Sequence, residues 1–546
     1  MIRASSNSGI HGTQGPFRIA GRLFVFALAT AITAGPFAAT ALAQDALTNL
    51  NSRYDELVPS RRAERVLIPA LADLEPAPIG VDRLPAARLL PTDAVGWSSA
   101  ERWAMAESQR RALEALDEIT EERRYERAMV FAQPYGVAGL APDVIRTRLY
   151  TDLGDPPLLA AAQHRYLPKM DELRKLVHVE ATRLVADGRA ADAADLLLRL
   201  AALGRQMVDR AMMAEVVWGY EAMVDALSRV RDVMYLDFLG DRTVSPSELA
   251  DIVDRLDADG FLAVERLSYP LGNEAAARQL IARVYEERGG VREDVFLSTM
   301  VRLSGGDRPL RRFAGAARWS GTASNQVDWF RVNEVVDEVY SGWSGRWFLD
   351  PFDPVMQLPF AVDTADDLDR AVVVALPAEF ETESGESLNG SELFELRQVL
   401  EVERVATRLS LGVLGRYYVT GLYPPAVSSI RPRWVRRIEA DAYNPNRDAG
   451  AQPPMEFFVP VRDAYVADER DEPEPHRMQV FPGDGTNFAV TLFEDQFVLY
   501  SVGPNGARDW AERVSQDRDA LLGDYLVWPP VLGLHRVHLR ALGEFE

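Results

Sequence analysis

Cysteine is absent from the 546 residues of this chain, and lysine occurs only twice, at Lys169 and Lys175. Without cysteine, the chain can form neither disulfides nor metal centres ligated by thiolates. A P-loop is excluded as well, because neither lysine lies between a glycine and a serine or threonine. These absences remove most of the familiar signatures of redox proteins and nucleotide hydrolases.

Blocks of basic residues are also lacking. The chain has 60 Lys and Arg against 82 Asp and Glu, which gives a formal net charge of -22. Proteins that bind nucleic acids carry basic patches that neutralise phosphates, so we expect no nucleic-acid partner. Beyond the N-terminus, no apolar run is long enough to cross a bilayer, and we expect no membrane span in the processed protein.

The first 43 residues have the features of a cleaved signal peptide. They contain no Asp or Glu, and an apolar stretch over Leu23–Ala34 is followed by Ala41-Leu42-Ala43. Small residues at these last positions are typical of a signal-peptidase site, which predicts cleavage before Gln44. An uncleaved anchor is the alternative, but the apolar stretch is short for a hydrocarbon core of about 30 Å. The protein is therefore expected outside the cytoplasm, in the periplasm or secreted.

Residues 44–304 are predicted to be largely helical. A short helix and a proline-rich connector occupy 44–97, and a helical domain follows over 98–304 as an irregular bundle. Ser98 with Glu101, and Ser245 with Glu248, have the spacing of capping boxes. The helices Val177–Ala186 and Ala190–Leu203, joined through a glycine turn, resemble one tetratricopeptide unit. No second copy follows at that period, which favours a plain helical hairpin.

Residues 305–390 form an irregular segment rich in aromatic residues. Four tryptophans lie here: Trp319, Trp329, Trp343 and Trp347. Such rings can stack on sugars, but they more often pack in a core or at a seam between domains. The apolar run Ala371–Leu376 predicts a short strand.

The last segment, 391–546, is predicted to be an α+β module. Leu393 to Val419 has an apolar stripe at helical spacing, which predicts a long amphipathic helix. Strand patterns follow at Met455–Val461, Met478–Phe481, Phe488–Phe493 and Phe497–Val502. Their short connections favour an antiparallel meander. The fold class is thus a mainly α body with a C-terminal helix-plus-meander module.

A series of short motifs in this module resembles a known family. In order they are Tyr417-Tyr418-Val419-Thr420-Gly421-Leu422-Tyr423-Pro424-Pro425, then Asp441-Ala442-Tyr443-Asn444-Pro445, then Ser501-Val502-Gly503-Pro504-Asn505-Gly506, then Gly523-Asp524-Tyr525. Over about 391–530 this order resembles the periplasmic head of the major pseudopilin of type II secretion. The whole layout also resembles that of secreted bacterial proteins of uncharacterised function. Because the helix here carries charges and lies deep in the chain, the resemblance implies a borrowed fold and not a filament subunit.

The resemblance also implies a calcium site in the loop after Gly506. The oxygen ligands offered there are Asn505, Asp509, Asp517, Asp519 and Asp524. Carboxylate and amide oxygens on a flexible loop suit Ca²⁺. The family's Gly-Thr-Glu-Asp-Asp run is missing, and a solvated acidic loop is the alternative.

No reactive constellation stands out in the sequence. Gly342-Trp343-Ser344-Gly345 approaches a nucleophile elbow, but Arg346 replaces the last glycine. We therefore expect an exported, non-catalytic scaffold or interaction protein with envelope or secretion-related partners. The alternative is a periplasmic glycan-binding protein or hydrolase that uses carboxylates near the aromatic cluster at 319–347, since a glycosidase needs only two carboxylates.

Overall fold

The fold is described here from a computed structural model for residues 36–304, 319–349, 353–364, 367–381, 387–444, 453–464, 466, 472–516 and 523–545. Helices dominate this part of the chain up to residue 420, and a mixed sheet follows. The expected mainly helical class is thereby confirmed, with most strands gathered at the C-terminal end. Residues 1–35 of the predicted signal peptide lie outside the described residues.

The N-terminal body consists of helices joined by short connections. The helices are α1 Pro36–Asp55, α2 Glu64–Ala72, α3 Leu84–Leu89, α4 Trp97–Ala104, α5 Glu107–Thr120, α6 Pro142–Thr147, α7 Leu167–Ala186, α8 Ala190–Val208, α9 Met213–Leu239, α10 Pro246–Arg255, α11 Gly272–Val284 and α12 Glu293–Ser304. Two short strands, β1 Thr151–Asp152 and β2 Gln163–His164, pair antiparallel. The proline-rich connector is partly helical, since Pro69 lies inside α2.

Helices α7, α8 and α9 form the centre of this body. The predicted hairpin is confirmed, because α7 and α8 meet at the turn through Gly188. Helices α8 and α9 approach each other where two glycines face. A Cβ atom on Gly204 would lie 2.7 Å from the carbonyl oxygen of Gly219, and one on Gly219 would lie 2.6 Å from that of Gly204. Any side chain at either position would push the two helices apart.

One of the two predicted capping boxes is present. Ser245 accepts a hydrogen bond from the Glu248 amide, and the Glu248 carboxylate accepts from the Ser245 amide. The box at Ser98 is wrong, because α4 already begins at the buried Trp97 and has no side-chain cap. Ser98 therefore lies inside the first turn, where its side chain cannot act as the N-cap.

The aromatic-rich segment is also helical where it is described. Its elements are α13 Trp319–Ala323, α14 Trp329–Val336, α15 Gly342–Arg346, α16 Ala361–Thr364, α17 Val372–Ala378, β3 Glu379–Glu381 and β4 Ser387–Asn389. A π-helical turn over Asp337–Ser341 links α14 to α15. The strand predicted for Ala371–Leu376 is wrong, since that run lies in α17. The run is almost wholly buried, and periodicity cannot tell a short buried helix from a buried strand.

Helix α18, Glu392–Thr420, leads into the C-terminal sheet. It confirms the long helix expected there and packs against α9 and α10. The remaining elements are β5 Glu456–Phe458, β6 His476–Phe481, β7 Phe488–Leu492, β8 Val498–Ser501, β9 Arg513–Ser515, β10 Asp524–Trp528 and α19 Val531–Ala541. Single turns of 3-10 helix cover Pro59–Arg61, Leu159–Ala161, Val264–Arg266, Pro354–Gln357, Leu368–Arg370 and Val427–Ile430.

The sheet is mixed, so the predicted antiparallel meander is wrong. Its strand order is β5-β8-β10-β9-β6-β7, and β9 runs parallel to both of its neighbours. The error arises because β9 and β10 were not recognised as strands. One face of the sheet contributes Leu499 and Val527 to the main core with α18, and the other packs Tyr500 and Leu526 with residues of α19. This alternation is the period of two that a sheet covered on both faces requires.

Candidate functional site

An open cleft of about 240 Å³ lies where the helical body, the aromatic segment and α18 meet. Its lining comes from residues 258–267 after α10, from Trp347, Leu349 and Met356 after α15, and from residues 437–442 after α18, together with α18 itself. Ligand sites form preferentially at such junctions. Its apolar walls consist of Ala258, Val264, Leu267, Trp347, Leu349, Met356, Phe394, Leu400 and Ala442.

One face of α18 forms the polar side of the cleft. Phe394, Arg397, Gln398 and Glu401 follow at steps of three and four residues, so they share a face of the helix. Phe394 is nearly buried, whereas the next three side chains remain partly exposed. This face therefore offers an aromatic base and a row of polar groups to a ligand.

Arg397 is the most unusual of these groups. Its guanidinium carbon lies 4.8 Å from the centroid of the Trp347 ring, and its Nη1 donates to the Trp347 carbonyl oxygen. Within the described residues, Nε and Nη2 of Arg397 have no hydrogen-bond partner, and no carboxylate lies at ion-pair distance. Although the chain has a large excess of acidic residues, none of those that the structure describes pairs with this cation.

The carboxylates beside Arg397 are engaged by other arginines. Glu401 accepts from Arg404 at 2.7 Å, and a Glu265 oxygen lies 3.6 Å from Arg437. Two arginines line the cleft. Arg437 lies 3.6 Å from Glu265 and 3.4 Å from Glu439, whereas Arg397 has no carboxylate at ion-pair distance among the described residues.

The walls of the cleft are fixed to α18 by two buried arginines. Arg404 and Arg408 both bind Glu439, at 2.9 and 2.5 Å, and Arg408 also lies 3.1 Å from Asp257. Burial raises the pKa of the Glu439 carboxyl, but the two guanidinium groups outweigh it and hold that pKa below its ordinary value. The segments that carry Ala258 and Ala442 are therefore held in place before any ligand arrives.

A second cavity of about 250 Å³ lies between α5, α8 and the loop at 122–130. Here Arg205 lies over Tyr125, with 4.8 Å from its guanidinium carbon to the ring centroid. In this case the arginine is paired, because Asp209 lies 2.8 Å away and also accepts from the Tyr125 hydroxyl at 2.9 Å. Arg205 of the second cavity therefore has a counter-charge, although its buried Nε has no hydrogen-bond partner among the described residues.

A third cluster of charged groups is completely buried and lies outside both cavities. Glu215 accepts from the Tyr135 hydroxyl at 2.6 Å, from the Tyr166 hydroxyl, and from Arg210 Nε at 2.7 Å. The His164 ring nitrogen Nδ1 lies 3.8 Å from Glu215. Burial raises the pKa of Glu215, but Arg210, His164 and the hydroxyls lower it below 4.5 overall. This centre joins α9 to the preceding segments, and its side chains are shut off from solvent.

The four predicted tryptophans do not form one platform. Trp319, Trp343 and Trp347 are at most 1 % exposed, while Trp329 is half-buried at the start of α14. A ring without exposed faces cannot stack on a sugar, so the burial of three rings contradicts a glycan platform there. Trp347 belongs to the cleft only as the ring beneath Arg397.

The predicted calcium ligands are only partly described. Asp517 and Asp519 lie outside the described residues. Both oxygens of Asp524 accept backbone hydrogen bonds, from the amides of Asp509 and Ala511, and Asn505 accepts from the amide of Ala507. Burial raises the pKa of Asp524 to about 6. Within the described residues, no group of three or more His, Asp or Glu side chains is arranged to hold a metal ion.

Arg397, Phe394 and Gln398 are not among the site residues that the sequence predicts. The available signal was the spacing: a cation three residues after Phe394 breaks the apolar face of a helix that is otherwise largely buried. Sequence alone cannot show that this cation lacks a carboxylate, because many acidic residues lie nearby along the chain.

Comparisons with protein-family models, with curated proteins and with solved structures found no match to this chain. None of the described helices has both the length and the apolar character needed to cross a membrane.

Proposed function

We propose that this protein is an exported, non-catalytic binding protein whose cleft at Arg397 takes a small ligand. The observation that carries the proposal is an apolar wall beside a cation, Arg397, that has no carboxylate partner in the part of the chain that the structure describes. Small-molecule sites typically combine apolar lining with a few converging polar groups. The carboxylates of the cleft are held in ion pairs, which favours binding over acid–base chemistry.

Exposed apolar residues beside the cleft support an interaction role. Phe348, Val355 and Leu358 are 75, 41 and 57 % exposed, and they lie within two residues along the chain of Leu349 or Met356, which line the cleft. A partner of the cell envelope or the secretion machinery could contact these three exposed residues close to the cleft. The order of a long helix followed by a sheet supports a pseudopilin-like C-terminal module as the structural frame of that site.

Export is tested by fractionating cells that express the full chain and by sequencing the N-terminus of the product. The proposal expects an extracytoplasmic protein that begins at Gln44. A cytoplasmic protein that retains Met1 would contradict it.

Ligand binding is tested by thermal unfolding of the protein with a panel of small amphipathic acids, amides, alcohols and oligosaccharides. At a concentration of 100 times its Kd, a ligand stabilises the folded state by about 2.7 kcal/mol, which is visible in a melt. Gln398→Trp should fill the cleft and abolish the shift.

The matched control is Val419→Trp, which adds the same ring to an exposed position of α18 that does not line the cleft. It should leave the ligand-induced shift unchanged. Loss of the shift in both variants would contradict binding in the cleft, and a shift with oligosaccharides alone would favour the glycan alternative.

A further inference from the structure

The free guanidinium nitrogens of Arg397 indicate which ligands the cleft selects. We propose that the cleft binds small molecules that carry a carboxylate on an apolar body, and this inference rests on the proposed binding function. The carboxylate would accept from Arg397, and the apolar body would lie against Phe394, Met356 and Leu267.

The guanidinium of Arg397 has the geometry to bind a carboxylate. A guanidinium offers five N–H donors in a planar fork that matches the geometry of a carboxylate. Arg397 uses Nη1 for the Trp347 carbonyl oxygen, and Nε and Nη2 have no acceptor among the described residues. Nε and Nη2 form one edge of the fork, so a single carboxylate can bridge them with two parallel hydrogen bonds.

The guanidinium of Arg397 is oriented by contacts within the protein. Stacking on Trp347 and the bond to its carbonyl oxygen hold the guanidinium on the wall of the cleft before a ligand arrives. Trp347 is in turn fixed, because its indole Nε1 donates to the Leu267 carbonyl oxygen at 3.3 Å. A pre-ordered donor loses little conformational freedom on binding, which favours affinity.

The volume of the cleft indicates the size of the ligand. The cleft, at about 240 Å³, is larger than the apolar cavity of roughly 150 Å³ that encloses benzene. A body slightly larger than one aromatic ring therefore fills it. Gln398 adds an amide beside Arg397 that can donate to the same carboxylate.

Two carboxylates that line the cleft could repel an anionic ligand. Glu265 and Glu401, which also line the cleft, are offset by Arg437 and Arg404. An incoming anion therefore meets these carboxylates already paired, while Arg397 remains available.

The experiment is titration calorimetry of the full chain with 3-phenylpropionate and with 3-phenylpropanamide. The two molecules have nearly the same size and apolar body, and only the first is charged at neutral pH. Hydrogen bonds to charged groups predict that the carboxylate binds at least tenfold more tightly than the amide. Raising the ionic strength should reduce this ratio.

Arg397→Met should bring the ratio close to one while the amide still binds. Arg433→Met is the matched control, because Arg433 also stacks on a tryptophan, Trp434, but does not line the cleft. It should preserve the ratio. Arg397→Lys keeps the charge without the planar fork and should give an intermediate ratio, which tests the inference even if the methionine variant unfolds.

Failure of this inference differs from failure of the proposed function. If both molecules bind with equal affinity and Gln398→Trp abolishes both, the cleft binds ligands but carboxylate selection is wrong. If no member of the wider panel binds, the proposed function itself is wrong. A carboxylate preference that survives Arg397→Met would place the binding elsewhere and overturn the inference.

Discussion

The cleft at Arg397 and the cavity at Arg205 are alike in size and differ in charge pairing. Each contains an arginine whose guanidinium carbon lies 4.8 Å from an aromatic ring centroid, Arg397 over Trp347 in one and Arg205 over Tyr125 in the other. Arg205 is paired with Asp209, whereas Arg397 has no carboxylate partner among the described residues. The same ring contact therefore accompanies an ion-paired arginine in one cavity and, within the described residues, an arginine without a carboxylate in the other.

The paired arginines and Arg397 also differ in their exposure to solvent. Arg205 is 2 % exposed, and the fully buried Arg210, which lies over Tyr135 at 4.6 Å, is paired with Glu215. Taking a charge out of water is costly unless it is paired, so the arginines that are shut off from solvent carry carboxylates. Arg397 keeps contact with solvent and can remain without one. The comparison predicts large stability effects at the buried pairs and mainly binding effects at the cleft.

The largest effect is expected for Glu215→Gln. The substitution keeps the shape of the side chain but leaves Arg210 buried without a counter-charge, which costs about 3–5 kcal/mol of unfolding free energy. Denaturant unfolding followed by circular dichroism measures the loss. Glu265→Gln at the cleft is the control, because the Glu265–Arg437 pair is exposed and contributes at most about 1 kcal/mol. Equal losses in the two variants would contradict the comparison.

Acid should reduce the difference between the wild type and Glu215→Gln. The pKa of Glu215 in the folded state lies below its ordinary value of 4.5, so its ionised form stabilises the fold above that pH. The contribution is lost as the pH falls through the folded-state pKa. The unfolding free energies of the wild type and of Glu215→Gln are measured from neutral pH downwards. The difference between them should be constant at first and should then become smaller in acid. A gap that widens in acid would show that the sign of the shift is wrong.

Asp209→Asn should have an intermediate effect on stability. It removes the carboxylate that pairs with the buried Arg205 and accepts from the Tyr125 hydroxyl, at a cost of about 1–3 kcal/mol. The affinity of the cleft for 3-phenylpropionate should not change, because the two cavities share no lining residue. Thermal unfolding and calorimetry on the same preparation test both statements, and a loss of affinity would show that the cavities are coupled.

Local patterns explain which parts of the fold the sequence predicts. The Ser245 capping box, the α7–α8 hairpin and helix α18 are set by residues close in sequence, and all three are confirmed. The predictions are wrong where contacts between residues far apart in the sequence determine the secondary structure. The run Ala371–Leu376 is almost wholly buried, and β9 pairs in parallel with β6, from which β7 and β8 separate it along the chain. Periodicity carries no information about either.

The candidate site was less predictable than the fold. Aromatic composition drew attention to the tryptophans at 319–347, but three of these rings are buried core. What marks the cleft is the absence of a carboxylate from Arg397 among the described residues, which depends on the pairing of Glu401 with Arg404 and of Glu265 with Arg437. Such pairing is a property of the packed molecule and not of spacing along the chain.

The smallest expected effect is also the sharpest test of the comparison. It is made by placing a carboxylate beside Arg397, which has none among the described residues. Gln398 lines the cleft next to Arg397, so Gln398→Glu places an acid there and makes this cavity resemble the one at Arg205. An acid competes for the guanidinium and repels an anionic ligand, which predicts about a tenfold loss of affinity for 3-phenylpropionate, or about 1.4 kcal/mol. Stability should change by about 0.5 kcal/mol or less, because the position is partly exposed on the helix surface. Affinity for the neutral 3-phenylpropanamide should stay the same, and an equal loss for both molecules would mean that the substitution alters the shape of the cleft and not its charge.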